Sequence, residues 1–151
     1  MSEQKNITVN KKAFYNYEII DKYEAGMVLV GSEVKSIREG KVNLKDSYVE
    51  MRAAEAFLVS AHISAYSNSS YNNHEPERER KLLLHKRELL KLDKKVKTRG
   101  FSIVPLRMYF NKKGKVKIEI AIAKGKRVYE KKQKIKDRDI KREVDRELKR
   151  Y

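Results

Sequence analysis

The chain has 151 residues, of which 40 % are hydrophobic, enough for one domain with a modest core. Its 37 Lys and Arg residues against 21 Asp and Glu give a net charge of +16, which attracts polyanions, nucleic acid before anionic membrane. No stretch approaches the roughly 18 uninterrupted apolar residues of a membrane span. No signal peptide is recognisable, and the lack of Cys excludes disulfides and Cys-based zinc sites. We therefore expect a cytoplasmic protein without a membrane partner.

The first regular segments are short. Residues 16–29 predict one or two strands with a bulge at Gly26. Residues 31–40 predict a short helix that stops at its final glycine.

A hairpin follows at 46–52 and 56–64. One face of its second strand carries Phe57, Val59, Ala61 and Ile63. The Asn- and Ser-rich segment 66–79 predicts a flexible polar loop.

The segment 79–99, closed by Gly100, is the longest predicted helix. Its apolar side comprises Leu82, Leu89, Leu90, Leu92 and Val96. Leu83 and Leu84 fall outside that stripe. Either both belong to the core of a kinked or deeply packed helix, or one of them is an exposed contact.

The clearest strand pair spans 101–110 and 116–122, joined by an Asn-Lys-Lys-Gly turn. Alternation places Val104, Leu106, Met108 and Phe110 on one face, and Val116, Ile118, Ile120 and Ile122 on the matching face of the second strand. Five or six short strands with helices outside them predict a mainly β fold. We expect a small antiparallel barrel of the oligonucleotide-binding type with flanking helices and a basic C-terminal tail.

The predicted tail, residues 124–151, holds 13 Lys and Arg against 6 Asp and Glu, a net of +7. As a helix it would place Ile140, Val144, Leu148 and Tyr151 on one stripe, with Arg138, Arg142, Arg146 and Arg150 roughly opposite. An isolated helix this short is marginal in water. We expect residues 1–123 to form the barrel domain and the tail to be disordered alone and helical on a polyanionic partner. The alternative is an ordinary solvated or docked terminal helix.

The sequence offers no pattern for catalysis or metal binding. The spacing of the three histidines, His62, His74 and His85, is not that of metal ligands. Each is expected to have a structural role or to lie on the surface. A phosphate-binding Gly-rich loop and a Gly-x-Ser-x-Gly nucleophile motif are both missing. We therefore expect neither an enzyme nor a cofactor.

Two segments combine basic residues with polar or aromatic ones. The first supplies Lys35, Arg38, Lys41, Asn43 and Lys45, and the second supplies Lys124, Lys126, Arg127, Tyr129, Lys131, Lys132 and Lys134. Lys and Arg neutralise phosphates, whereas Tyr stacks on unpaired bases and Asn bonds base edges or the ribose 2′-hydroxyl. The residues alone predict an RNA-binding barrel with a basic arm.

An ordered series of motifs resembles one family. The motifs are GSEVKSIREGKVNLKDSY from Gly31, EAFL from Glu55, HI from His62, RKLLLHKRE from Arg80, VPL from Val104, YF from Tyr109 and AKGK from Ala123. Their order and spacing, from about Asn10 to Lys132, are similar to those of the SmpB (small protein B) family, bacterial partners of transfer-messenger RNA (tmRNA).

The resemblance implies an RNA-binding adaptor with an oligonucleotide-binding-type barrel. Members of the family bind the tRNA-like domain of tmRNA and escort it to ribosomes stalled without a stop codon, where the incomplete protein receives a degradation tag. The implied partners are tmRNA and the decoding centre and messenger channel of the small ribosomal subunit. We expect a monomer in the free state.

Site residues follow from the resemblance, with Asn43 added from the residue pattern. The expected RNA-binding residues are Asn10, Glu24, Lys35, Arg38, Asn43, Leu83, His85, Lys124, Gly125 and Lys126. The expected ribosome-binding tail residues are Tyr129, Lys131, Lys132, Lys134, Lys136, Arg138 and Arg142. The family's usual Asp-Lys-Arg is Glu130-Lys131-Lys132 here, and a frequent Trp is replaced by Ile140.

Two other functions fit part of the sequence. A general RNA-binding or ribosomal structural protein would explain the charge and the barrel, but not the motif series; it would co-sediment with ribosomes whether or not they are stalled. A metal-dependent nuclease would need a cluster of acidic or His ligands, which no spacing suggests, and it would show metal-dependent cleavage.

Overall fold

The computed structural model describes residues 5–66 and 73–126. Within these two ranges the chain forms nine strands and three helices. In chain order they are β1 (Lys5–Val9), α1 (Lys11–Asn16), β2 (Tyr17–Met27), α2 (Gly31–Arg38), β3 (Val42–Asn43), β4 (Tyr48–Arg52), β5 (Glu55–Val59), β6 (His62–Ile63), β7 (Arg80–Leu83), α3 (Lys86–Val96), β8 (Phe101–Phe110) and β9 (Val116–Gly125). The fold is mainly β, as predicted.

Six strands form a ring of antiparallel pairs in the order β8, β4, β5, β7, β2 and β9, with β9 pairing back to β8. β1 pairs with the last four residues of β8, beyond the point where β4 joins it at Ile103. β3 and β6 form a separate two-stranded pair. This topology is consistent with the predicted oligonucleotide-binding-type barrel.

The barrel core receives the predicted face of β9, since Val116, Ile118, Ile120 and Ile122 all pack there. α3 packs against β4, β5, β8 and β9 and buries Leu92 completely in the same core. β9 continues to Gly125, two residues beyond the predicted end of the barrel domain.

The prediction that β8 buries one face is wrong. Met108 and Phe110 pack in the barrel core, but Val104 and Leu106 lie in a second cluster beneath α1. The pairing of β8 with β9 shifts register just before Arg107. One extra residue on a strand turns the following side chains to the opposite face, so the alternation inverts halfway along β8.

The predicted face of β5 is wrong in its first half for a related reason. Phe57 and Val59 are only half-buried. Ser60 has a φ of 64°, a left-handed backbone that ends the strand and changes the phase of the side chains. The fully buried residues on either side of it are Ala56, Leu58, Ala61 and Ile63.

The bulge in β2 also differs from the prediction. Its register with β9 shifts between Ile19 and Asp21, whereas Gly26 pairs regularly with Lys117. Residues 16–29 therefore yield one strand, which begins only after α1 has ended.

The long helix predicted over 79–99 is wrong in its first part. Residues 80–83 form β7, in which Arg80 and Leu82 are buried while Leu83 is exposed. This two-residue period belongs to a strand, and the pairing of β7 with β5 and β2 fixes it. The helix itself starts at Lys86, and Leu90, expected on its buried side, is 53 % exposed.

The short helix predicted over 31–40 is present as α2, and Gly40 beyond it has a φ of 74°. A left-handed glycine just past a helix is the predicted stop. The hairpin predicted at 46–52 and 56–64 is present as β4 and β5. Of the predicted loop 66–79, the described residues 73–79 belong to neither a helix nor a strand.

Candidate nucleic-acid interface

α2 carries two of the predicted RNA-binding residues. Lys35 and Arg38 lie in its last turn, and both are exposed. The Lys35 ammonium lies 5.4 Å from the centre of the Tyr66 ring, a cation–π distance. α2 therefore offers two cations to solvent on one side of the barrel.

The other side of α2 is anchored by a buried ion pair. The Arg80 Nε donates to Glu33 Oε2 at 2.5 Å, and both side chains are inaccessible to solvent. Arg78 Nη2 donates to Glu33 Oε1 at the same distance, and the Val30 backbone N–H donates to that oxygen at 2.9 Å. Burial alone would raise the pKa of Glu33, but these hydrogen bonds hold the pKa below its ordinary value. Arg80 also donates to the carbonyl of Ala61 at 2.8 Å.

His74 also anchors α2. Its Nε2 donates to the Ile63 carbonyl at 2.7 Å, and its Nδ1 accepts from Ser32 at 2.9 Å. The ring is 8 % exposed, so it has the structural role expected of it. His62, by contrast, is exposed and lies 4.0 Å from Glu77.

Leu83 lies in an open groove beside Gly26, its partner in the β2–β7 pairing. The side chain is 52 % exposed. Of the two alternatives given for Leu83 and Leu84, this exposure supports the one in which one leucine is an exposed contact. Leu84 packs against the core. Val34 of α2 lines the same groove, one helical turn before Arg38.

Lys117, which is not among the RNA-binding residues predicted from the sequence, lies beside Gly26 at this groove. A Cβ at Gly26 would lie 3.4 Å from the Leu83 Cβ and 3.5 Å from the Lys117 Nζ. The available signal was alternation in β9, which turns Lys117 outward between the buried Ile118 and the half-buried Val116.

Glu24 is exposed on β2, two residues before Gly26 and therefore on the same face. The buried Tyr109 hydroxyl donates a hydrogen bond to Glu24 Oε2. Burial first, and then this bond and the Glu24 charge, raise the pKa of Tyr109, so its hydroxyl stays protonated at neutral pH. Glu119 of β9 lies directly opposite Glu24.

We call the surface formed by these groups the RNA face, after the partner predicted for several of them from the sequence. It contains Glu24, Gly26, Lys35, Arg38, Leu83 and Lys117. Three cations, an apolar side chain and a hydrogen-bonded carboxylate thus lie on connected elements, a mixture suited to folded RNA rather than to phosphates alone.

Asn43 and His85 are also exposed. Asn43 lies on β3, where its Oδ1 accepts from the Lys45 backbone at 2.8 Å. His85 is the N-cap of α3, and its backbone N–H donates to Glu88 at 3.1 Å. The position of His85, two residues after Leu83, places it beside the RNA face.

Asn10 is only 6 % exposed, and its side chain is bonded inside the protein. The amide nitrogen donates to the carbonyls of Pro105, at 2.9 Å, and Leu44, at 3.3 Å. Its oxygen accepts from the Ala13 backbone at 3.3 Å and caps α1. These bonds fasten α1 to the barrel, and a direct RNA contact by Asn10 stays a prediction.

The remaining predicted RNA-binding residues lie at the other end of β9. Gly125 pairs with Tyr17, nine residues along β2 from Gly26, a separation of about 30 Å along a strand. Lys124 is exposed, and the Lys126 backbone N–H donates to the Asn16 carbonyl at 2.9 Å. The predicted set is therefore divided between two ends of the barrel and does not form one patch.

The tail positions, from Tyr129 to Arg142, lie outside the described residues. Among residues 5–66 and 73–126, no group of three or more His, Cys, Asp or Glu side chains could hold a metal ion. The helices of this described part are too short or too polar to cross a membrane.

Known proteins match almost the whole chain. A model of the family described as SmpB protein matches residues 7–150. The SsrA-binding protein of Sulfurihydrogenibium sp. (strain YO3AOP1) is 56 % identical over 149 residues, covering 99 % of this chain and 97 % of that protein. That of Syntrophobacter fumaroxidans (strain DSM 10017 / MPOB) is 55 % identical over 144 residues, or 95 % of this chain and 89 % of that protein. A solved structure described as "tmRNA-SmpB: a journey to the center of the bacterial ribosome" matches with a TM-score of 0.68 at 44 % identity, covering 80 % of this chain and 85 % of that one.

Proposed function

The chain belongs to the SmpB family, and from that premise we propose that it is an RNA-binding adaptor for tmRNA. It binds the tRNA-like domain and delivers the RNA to stalled ribosomes, where the incomplete protein is tagged. The names of the relatives and the ribosomal setting of the similar structure support both partners.

The observation that carries this proposal is the composition of the RNA face. Lys35, Arg38 and Lys117 provide charge for phosphates, while Leu83 and Glu24 provide contacts that phosphates cannot use. Lys124, Gly125 and Lys126 contact the RNA at a second place, about 30 Å along β2. A folded RNA domain satisfies both ends at once, as an isolated phosphate or a short peptide does not.

The proposed action is delivery and not catalysis. The protein uses no cofactor or metal, and it works in the cytoplasm, where its ribosomal partner acts. The tail enters the messenger channel of the small subunit through Tyr129, Lys131, Lys132, Lys134, Lys136, Arg138 and Arg142. Free protein is a monomer.

The test is a titration of the protein against the tRNA-like domain of tmRNA, with ordinary tRNA as competitor. We expect tight binding that the competitor does not displace. Equal affinity for the two RNAs would reduce the function to that of a general basic RNA binder. Metal-dependent cleavage of either RNA would favour an enzyme instead.

Salt dependence should follow from the cations of the RNA face. Because each neutralised phosphate releases counterions, the logarithm of the binding constant should fall with the logarithm of salt concentration by about 0.9 per phosphate contact. The Lys117→Gln variant should bind more weakly and show a slope smaller by about one contact. Titrations at several salt concentrations measure the slope. An unchanged slope in the Lys117→Gln variant would show that Lys117 makes no phosphate contact.

Leu83→Ala should weaken binding of the tRNA-like domain about fivefold. The Leu83 side chain is half-exposed. Burial of its apolar surface by bound RNA should contribute on the order of 1 kcal/mol to the binding free energy. Leu90→Ala is the matched control. Leu90 is equally exposed, at 53 %, but it lies on α3 and is not one of the residues that form the RNA face. Both variants should keep their thermal stability. Equal losses in the two titrations would show that Leu83 makes no specific contact.

A further inference from the structure

We propose that Tyr109 is a positioning residue that fixes the Glu24 carboxylate as a hydrogen-bond acceptor for an N–H or O–H group of the bound RNA. This inference rests on the proposed function, since it assigns a specificity element to the RNA face.

The contact spans three strands. Tyr109 belongs to β8 and Glu24 to β2, with β9 between them. The cross-strand neighbour of Tyr109 is Lys117, and that of Lys117 on β2 is Gly26. Gly26 adds no side chain to this row of residues, and the tyrosine hydroxyl reaches the Glu24 carboxylate across β9.

Arg107 packs over the Tyr109 ring and helps to hold it in place. The Arg107 guanidinium lies 4.3 Å from the centre of the Tyr109 ring. Arg107 also donates to Asn6 at 2.7 Å and pairs with Glu119, Nε to Oε1, at 3.5 Å. Because only 2 % of Tyr109 is exposed, the surrounding side chains restrict the orientation of the ring and of the hydroxyl at its end.

The charges around Glu24 leave it able to accept further hydrogen bonds. Glu24 and Glu119 are directly opposite each other, an arrangement of like charges that is unfavourable unless it is compensated. Arg107 compensates Glu119. The donor that orients Glu24 is neutral and uses one acceptor position, and an ionised carboxylate has about four.

An oriented carboxylate gives specificity rather than general affinity. RNA phosphates have no donor hydrogen and are repelled by Glu24, whereas base amino or imino groups and the 2′-hydroxyl can donate to it. In a chain of net charge +16, which attracts any polyanion, such a group disfavours RNAs that present only phosphates. Fixing it before binding removes the cost of ordering it in the complex.

The experiment compares full-length wild type with Tyr109→Phe, which removes only the hydroxyl. Affinity for the tRNA-like domain should fall about fivefold, because binding must then order the Glu24 side chain that the hydroxyl holds in the wild type. Affinity for ordinary tRNA and the salt slope for both RNAs should not change. Tyr23→Phe is the control, because the Tyr23 hydroxyl also donates to a carboxylate, that of Asp21 at 3.0 Å, and neither residue belongs to the RNA face.

Glu24→Ala, which removes the acceptor oxygens, and the double variant complete the cycle. If Tyr109 acts through Glu24, Tyr109→Phe should add little once Glu24 is Ala. Independent, additive losses would overturn the inference, as would equal losses for the two RNAs or unfolding of Tyr109→Phe at the assay temperature. Failure of wild type to prefer the tRNA-like domain would contradict the proposed function; a preference that survives Tyr109→Phe unchanged would contradict this inference alone.

Discussion

Replacing Glu33 by Ala should lower the free energy of unfolding by about 3–5 kcal/mol, the usual cost of removing one partner of a buried ion pair. Arg80 would remain inaccessible to solvent with no carboxylate to face its Nε. α2 would also lose the hydrogen bond that the Val30 backbone N–H, at the N-cap, donates to Glu33. Urea unfolding followed by circular dichroism measures the change.

Glu55→Ala is the matched control. Its ion pair with Lys81, at 3.2 Å, has both side chains nearly half exposed, and exposed pairs contribute about 0–1 kcal/mol. If both variants lost the same small amount, the Glu33–Arg80 pair would not be an anchor.

Acid should reproduce part of the Glu33→Ala effect. Because the pKa of Glu33 is lower in the folded than in the unfolded chain, its contribution is complete above the ordinary value of 4.5 and is lost as pH falls through the lower, folded value. The difference in stability between wild type and Glu33→Ala should therefore shrink as the pH falls below about 4.5. A constant difference across that range would contradict this account of Glu33.

Patterns of hydrophobicity predicted β2, β4, β5, β8 and β9 as strands, but not β1, β3 or β7, and not where those patterns change phase. The face of β9 follows from simple alternation because the strand is regular. β8 carries the same kind of sequence, yet its bulge before Arg107 inverts the faces. Pro105, directly before the register shift, is a local signal for the bulge, since proline in a sheet is confined to edges and bulges. Alternation alone could not show that α1 and the second cluster cover Val104 and Leu106.

The Arg80–Leu83 segment shows a second limit. RKLLLHKRELL satisfies a helical period, and only pairing with β5 and β2 makes its first four residues a strand. Such tertiary pairing overrides local propensity. The same pairing exposes Leu83, which sequence periodicity left undecided between core and contact.

The sequence allowed single residues of the candidate site to be proposed, but not the surface that they form. Glu24, Lys35, Arg38 and Leu83 came from the family resemblance, and the structure places them on connected elements. Lys117 and Tyr109 were not selected from the sequence, because strand residues look ordinary until the register shows their neighbours. The division of the set between two ends of β2 depends on strand length and pairing, which motifs do not encode.

Removing residues 130–151 should separate binding of the tRNA-like domain from tagging on the ribosome. The truncated chain keeps every described residue, including Lys126 and its bond to the Asn16 carbonyl. Its affinity for the tRNA-like domain should stay near that of the full chain at physiological salt, where the loss of the segment's diffuse charge has a small effect. Tagging of stalled proteins in a reconstituted translation assay should be abolished, because the part proposed to occupy the messenger channel is gone.

A full-length variant with Arg138 and Arg142 replaced by Gln distinguishes charge from mere length. It should bind the tRNA-like domain as the wild type does and tag stalled proteins more slowly, since two of the cations proposed to meet ribosomal RNA are lost. If the truncated chain instead lost affinity for the tRNA-like domain by orders of magnitude, the tail would belong to the RNA-binding surface, and the barrel alone would not account for recognition. If tagging survived truncation, the barrel would be sufficient on the ribosome, and the role assigned to Tyr129 through Arg142 would be wrong.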